Sequence, residues 1–264
     1  MISMLAVEDN ILAYYQGIAR YLGGQFTADA QVVWFSTGRR SLTRLNGVLR
    51  LVAGRPAELR RVAAPILDAF LAQNLPFLWA AWPPNGAPGL ADFLNATGLP
   101  LVHAVMPGMA RHLDDLPPVA PPAGVEIVRV QTEQDQADWL DVHMAGFEEP
   151  AAARPDLRQY LAAALADPQP TLAHFVARRA GAPCAISTLL YAPLVAGIYH
   201  VTTLPADRGR GLGKALTLAA MHAARAAGYA DAFLAATPSG FPLYQRLGFE
   251  TVVSAEIDVW NGER

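Results

Sequence analysis

One cysteine, Cys184, is all that a chain of 264 residues contains. No intrachain disulfide is available to it, and no Cys or His stands near it at the spacing of a structural zinc site, so neither staples nor a metal centre are expected. A reducing cytoplasm is the expected compartment. Charge is also sparse, at 16% of residues with a formal net of -3, and no segment gathers Lys and Arg. A nucleic-acid partner requires such a basic footprint, so none is expected. The start, M-I-S-M-L-A-V-E-D-N, lacks the basic segment and long apolar run of a secretory signal. No apolar run reaches bilayer length either. The most apolar window, Ala63 to Trp82, is broken by Asp68, Gln73, Asn74 and Pro76, which suits a core helix running into a strand.

What is present is hydrophobic substance, 53% of residues, enough for a sizeable core. Between Leu113 and Val125 the chain reads L-D-D-L-P-P-V-A-P-P-A-G-V, whose prolines fix φ and remove backbone donors. This predicts a linker over 117–123 between a smaller α/β domain at 1–116 and a second domain at 124–264.

The second domain opens with the alternating run V-E-I-V-R-V (Val125 to Val130), followed by an amphipathic stretch from Thr132 to Gly146 and a second helical region, Leu157 to Leu165. His174 to Arg179, a turn at Ala180-Gly181-Ala182-Pro183, and Cys184 to Tyr191 predict a hairpin. A strand from Gly197 to Leu204 leads into a glycine-rich turn and a helix from Gly211 to Ala227, with Gly228 as its left-handed cap. A buried strand (Asp231 to Thr237), a short helix (Pro242 to Leu247) and terminal strand residues (Thr251 to Trp260) complete the order β-α-α-β-β-β-α-β-α-β.

The turn reads D-R-G-R-G-L-G-K-A-L. Placed between strand and helix, it lets backbone N–H groups and a helix N-terminus converge on one anion, while Arg208, Arg210 and Lys214 add positive charge. A phosphate-bearing cofactor follows. The P-loop pattern is excluded, because neither its spacing nor the hydroxyl after its lysine is present, and a dinucleotide fingerprint would need G-x-G-x-x-G at the first strand of its unit. A tight turn with no ligand uses the same glycines.

R-G-R-G-L-G followed by L-Y-Q-R-L-G-F resembles two landmarks of the GNAT superfamily of N-acetyltransferases: [RQ]-x-x-G-x-[GA], matched by Arg208, Gly211 and Gly213, and Y-x-x-x-G-F, matched by Tyr244, Gly248 and Phe249. The resemblance covers about Gly124 to Trp260. It implies a mixed, mostly antiparallel sheet flanked by helices, with acetyl-CoA or another short acyl-CoA as cosubstrate. The implied cofactor-binding residues are Arg208, Gly209, Arg210, Gly211, Leu212, Gly213 and Lys214 in the loop, and Val201, Thr202 and Thr203 on the splayed strand before it. Thr237 and Ser239 join them beyond the next strand, although Thr237 stands where many members carry Asn.

The implied reaction is aminolysis of a thioester, with a small-molecule or peptide amine as acceptor and no membrane or nucleic-acid partner. Tyr244, protonated at neutral pH, is the candidate donor to the leaving thiolate. The positions at which members often carry a base are Gly197 and Tyr199, and neither is one. Glu148 and Glu149 fall where such a fold lines its acceptor side, and are the candidates to draw in the amine or relay its proton. His200 lies on the opposite face by period-2 alternation unless a bulge re-aims it. The alternative is a non-catalytic acyl-CoA-binding or interaction protein that keeps the loop without a working base.

In the first half, Trp34 to Gly38 and Leu45 to Val52 predict a hairpin, Glu58 to Gln73 a helix, Pro76 to Pro84 a strand, Ala91 to Leu99 a short helix, and a last strand ends at Met109. This order repeats the end of the second half, with Leu94 where Tyr244 stands and no counterpart of R-G-R-G-L-G. The expectation is a degenerate half-copy of the fold that holds no cofactor, or else an unrelated small α/β domain.

Overall fold

The computed structural model describes residues 2–82 and 87–263. In chain order the elements are α1 (Met4–Tyr21), β1 (Gln25–Ala28), β2 (Val32–Ser36), β3 (Asn46–Leu51), α2 (Pro56–Ala72), β4 (Phe77–Ala81), α3 (Leu90–Asn95) and β5 (Val102–His112). There follow β6 (Val125–Arg129), α4 (Glu133–Gly146), α5 (Arg154–Leu165), β7 (Leu172–Arg179), β8 (Ala182–Tyr191), β9 (Ala196–Thr203), α6 (Leu212–Ala226), β10 (Asp231–Ala235), α7 (Phe241–Arg246) and β11 (Glu250–Trp260). The fold is the expected mixed, mostly antiparallel sheet with flanking helices.

Two compact units divide the chain: Met1–Tyr14 with Gly108–Val252, and Tyr15–Pro107 with Val253–Arg264. The first contains β6, β7, β8 and β9 paired antiparallel in turn, then β10 parallel to β9, then the end of β5 antiparallel to β10. Its central strands β7 and β8 are buried on both faces. Along β7 and β8, Phe175, Ala177, Ala185 and Leu189 pack with Leu216, Leu218 and Met221 of α6, while Val176 and Ile186 pack with Trp139 and Val142 of α4 and Leu161 of α5. This is period-2 alternation with an apolar partner on each side. Thr132 starts α4 with a capping box, its hydroxyl accepting from the Asp135 N–H at 3.1 Å and the Asp135 carboxylate accepting from the Thr132 N–H at 2.9 Å. The β7–β8 turn takes Ala180 at φ 50° and Gly181 at φ 81°, the backbone of a primed two-residue hairpin. The expected linker residues 117–123 lie in this unit, where the His222 ring of α6 donates to the Pro117 carbonyl at 2.8 Å.

The second unit runs β1, β2, β3 antiparallel, β4 parallel to β3, and β11 antiparallel to β4. β3 and β4 pair at Gly47↔Leu78 and Val48↔Trp79, and a Cβ at Gly47 would stand 2.5 Å from the Leu78 carbonyl oxygen, so only glycine permits this approach. Phe70, Phe77, Trp79 and Trp260 fill its core. Ahead of α2 the Glu58 carboxylate accepts from the Gly54 N–H at 3.0 Å, and Pro56 at the first helical position has no N–H to offer. Of the strand expected over Pro76 to Pro84, Phe77–Ala81 forms and Pro83 and Pro84 lie outside the described residues. The sequence reading did not anticipate α1 and β1.

Candidate functional site

The site begins where β9 and β10 part. Their parallel pairing is limited to Ala232↔Ala196 and Phe233↔Gly197, while β9 continues to Thr203 on β8 alone. Beyond Gly197 one edge of β9 therefore presents main-chain N–H and C=O groups to the gap. The β8–β9 ladder also slips, from Thr188↔Tyr199 to Ile186↔Thr202, so that Ser187 opposes two residues, His200 and Val201. That is a bulge, with His200 at φ 52°. The alternation that would send His200 to the α6 face is broken, and consecutive residues Tyr199 and His200 both face the helices on the other side. There the His200 ring centroid lies 5.4 Å from Trp139, 5.1 Å from His143 and 6.5 Å from Phe147.

At the far end of β9, Arg208 donates from Nε to the Thr203 carbonyl at 3.1 Å, and Arg179 pairs with Asp207 at 2.5 Å, fixing the base of the loop. Gly209 and Gly211 take φ 74° and 83°, and a Cβ at either would meet open space. Conformation rather than crowding selects glycine here, and the main chain is left bare. Gly211 precedes α6 with no side-chain cap, so the first N–H groups of that helix are left for an external acceptor.

The parted strands and the open helix end line one cleft of about 670 Å³. Val201, Thr202, Thr203, Arg208, Gly209, Gly211, Leu212, Gly213, Lys214, Thr237, Ser239 and Tyr244 all line it, joined by Gly146 and Phe147 from the end of α4. Arg210 stands outside, exposed, with Nε 4.0 Å from Asp207. Glu148 and Glu149 follow Phe147 and do not line the cleft. A Cβ at Gly146 would lie 2.6 Å from Thr202 Oγ1, so glycine lets α4 meet β9. Arg208, Lys214 and Arg246 give the lining a cationic bias against the single acid Asp207. Backbone donors, a helix start and these cations fit a pyrophosphate, and the open strand edge fits an extended amide chain.

Tyr244, on α7, is 8% exposed, and burial pushes its phenol up to about 12. It is therefore a held proton at neutral pH. Its ring packs against Gly240, where a Cβ would approach Cε2 to 3.0 Å, and against Phe249. The Thr237 hydroxyl is engaged locally, accepting from the Gly240 N–H at 3.2 Å.

On the other face the space beside Gly197 is filled by Asn10 of α1, whose Oδ1 would lie 2.6 Å from a Cβ there. Asn10 donates from Nδ2 to the Val195 carbonyl at 2.8 Å and accepts from the Tyr199 hydroxyl at 2.7 Å, while Tyr14 stacks on Tyr199 at 4.0 Å. The helical spacing of Val7, Asn10, Ile11, Tyr14 and Ile18, all buried, is the signal by which the sequence could have shown this contribution.

His174 is buried nearby, and burial first, then the charge of Arg129, lowers its pKa to about 3. An unfolded histidine binds its proton near 6.5, so between 6.5 and about 3 the unfolded chain holds one more proton than the folded one. Stability is then expected to fall as pH drops through that window, by about 1.4 kcal/mol per pH unit for this group. Urea midpoints measured from pH 7 to 4 check this, and His174→Gln should flatten the slope. The Asp135 carboxylate, although opposed by burial, is held low by Arg178, which bonds it at 2.6 Å, and its contribution is lost only below the ordinary carboxylate range.

Residues 170–251 match the model of the acetyltransferase (GNAT) domain family. With the fold and the cleft, this defines the class: the chain carries a GNAT acetyltransferase domain. It is similar to the mycothiol acetyltransferase of Thermomonospora curvata, 29% identical over 257 residues, which are 94% of this chain and 78% of that protein. Among solved structures it is similar to a GCN5-related N-acetyltransferase from Kribbella flavida, with TM-score 0.72 and 23% identity, covering 96% of this chain and 95% of the other. It also resembles a tandem GNAT protein from the clavulanic acid biosynthesis pathway, with TM-score 0.61 and 16% identity, covering 88% and 79%. Among the described residues no cluster of His, Cys, Asp and Glu could hold a metal ion, and no helix is long and apolar enough to cross a membrane.

Proposed function

We propose that the protein transfers an acetyl or other short acyl group from acyl-CoA to a primary amine. The observation that carries this reading is the single cleft in which the uncapped start of α6, the open edge of β9 and Tyr244 meet. Acetyl-CoA supplies an activated thioester. The residues of the chain hold and orient it: N–H groups at the start of α6 with Arg208 and Lys214 bind the pyrophosphate, and the main chain of Val201 and Thr203 pairs with the pantetheine and polarises the acyl carbonyl. Tyr244 keeps the proton that the departing sulfur needs. From the mycothiol acetyltransferase relative we take the transferred group and not the acceptor.

The second unit repeats the pairing order antiparallel, antiparallel, parallel, antiparallel, and we read it as a GNAT-like half without a cofactor, since it has no counterpart of the R-G-R-G-L-G loop. The tandem GNAT relative favours the same reading. A photoreactive CoA analogue should therefore label only residues that line the cleft at the start of α6, and peptide mapping of the labelled protein checks it. Label within Tyr15–Pro107 would end this reading.

One observation favours a binding protein without turnover: Asn10 and Tyr199 occupy the face where a carboxylate base is absent. Purified protein incubated with acetyl-CoA and a panel of amines separates the two. Thiol release above buffer supports transfer, and thermal stabilisation by acetyl-CoA without release supports binding alone.

A further inference from the structure

α7 spans six residues, too few for a helix to persist alone in water, so its geometry is set at its two ends. At the first end the Thr237 carbonyl accepts from the Phe241 N–H at 2.9 Å. The second end closes in a Schellman turn: the Phe249 N–H donates to the Tyr244 carbonyl and the Gly248 N–H to the Gln245 carbonyl, each at 3.0 Å, with Gly248 at φ 82°. The Leu247 carbonyl, just beyond the helix, is taken by a residue from another element. Arg111 of β5 donates to it from Nη1. The same guanidinium donates from Nε to the His112 carbonyl at 2.8 Å and from Nη2 to the Asp115 carbonyl at 3.1 Å.

We propose that Arg111 is a positioning residue for Tyr244: its guanidinium fastens the end of α7 to β5 and so holds the phenol in the cleft. The inference rests on the acyl-transfer reading above, in which Tyr244 gives its proton to the departing sulfur. Arg111 itself is outside the cleft lining, so it touches neither thioester nor amine and acts through Tyr244.

Three features favour this assignment. The Schellman turn couples the two residues, because its Phe249 N–H bonds the carbonyl of Tyr244 itself, and a shift of Leu247 and Gly248 is passed to the residue that bears the phenol. The fit is close: a Cβ at Gly248 would stand 3.3 Å from Arg111 Nη1 and 3.6 Å from its Cζ, and a cation there also suits the negative end of a helix. The anchor is firm, since β5 pairs with β10, where Arg111 stands opposite Ala232. Three carbonyls in three directions call for the planar fork of an arginine, which the single ammonium of a lysine does not reproduce.

The test uses the full chain with acetyl-CoA and the fastest-reacting amine among glucosamine, spermidine and tyramine. Arg111→Gln should lower the single-turnover rate by roughly 10- to 100-fold with little change in Kd for acetyl-CoA, because the glycine loop and the start of α6 stay as they are. Arg111→Lys, which keeps the charge and one donor, should lose less. In a Tyr244→Phe background Arg111→Gln should cost little further rate, since residues that act as a unit are not additive. An equal loss in both backgrounds, or a rate unaltered by Arg111→Gln, would overturn the proposal, whereas a wild type without transfer, or a Tyr244→Phe rate equal to that of the wild type, would overturn the acyl-transfer reading instead. Amide hydrogen exchange then decides the positioning without an amine: the N–H groups of Gly248 and Phe249 should exchange faster in Arg111→Gln while those of α6 keep their protection. Should α6 lose protection as well, Arg111→Lys carries both measurements. Unchanged exchange at Gly248 and Phe249 overturns the proposal.

Discussion

Tyr244→Phe is expected to lower kcat by roughly 10- to 1,000-fold with little change in affinity for acetyl-CoA, the range for loss of a general acid or of a hydrogen bond made in the transition state. The substitution removes one hydroxyl and keeps a ring packed against Gly240 and Phe249, so the α7 turn and the cleft wall stay in place. None of the described residues hydrogen-bonds that hydroxyl, so its loss leaves no buried partner stranded. The phenol pushed up to about 12 is always protonated at working pH, so the variant should lose rate at every pH and leave the shape of the profile unchanged. Single-turnover measurement isolates acyl transfer from product release. An unaltered single-turnover rate would remove Tyr244 from the chemistry.

Gly211→Asp is expected to abolish binding of acetyl-CoA. Three effects act together: the residue sits at φ 83°, a side chain enters the open space that the bare loop keeps, and a carboxylate at the N-cap satisfies the first N–H groups of α6 itself. At a ligand concentration 100 times Kd the wild type gains about 2.7 kcal/mol by mass action, and the variant should gain none while remaining folded. Thermal shift with and without acetyl-CoA reads both quantities, and Gly211→Ala, which adds no charge, should retain part of the effect.

Much of this site is legible in the sequence because its parts are local. Glycines at 209 and 211, a strand ending at Thr203 and a helix from Leu212 are consecutive, and turn chemistry with hydrophobic period suffices to place them. The α4 cap at Thr132 and the β7–β8 turn at Ala180-Gly181 are legible for the same reason. The face of β9 turned away from α6 is not. His200 reaches it through one extra residue in a ladder, and a bulge leaves no mark in a period-2 pattern when neither residue is glycine. Tyr14 and Asn10 reach it from sequence separations of 186 and 189 residues; the helical spacing of α1 announces a buried face but not the strand it meets. Glu148 and Glu149 carry the right chemistry in the right segment, yet they follow Phe147 away from the cleft lining. The chain ends are likewise shared between the units: Met1–Tyr14 joins the strands of the second half, and Val253–Arg264 joins those of the first. A linear reading assigns each end to its neighbours in sequence, whereas strand pairing assigns it to a partner far away.

The central claim is that one acyl-CoA binds in the cleft between β9 and β10 with its phosphates at the start of α6. Calorimetric titration of the purified chain with acetyl-CoA tests it most directly. The account predicts one site per chain with affinity in the micromolar range, abolished by Gly211→Asp and unchanged by Tyr244→Phe. Absence of heat at millimolar acetyl-CoA, or a site that survives Gly211→Asp intact, would contradict it.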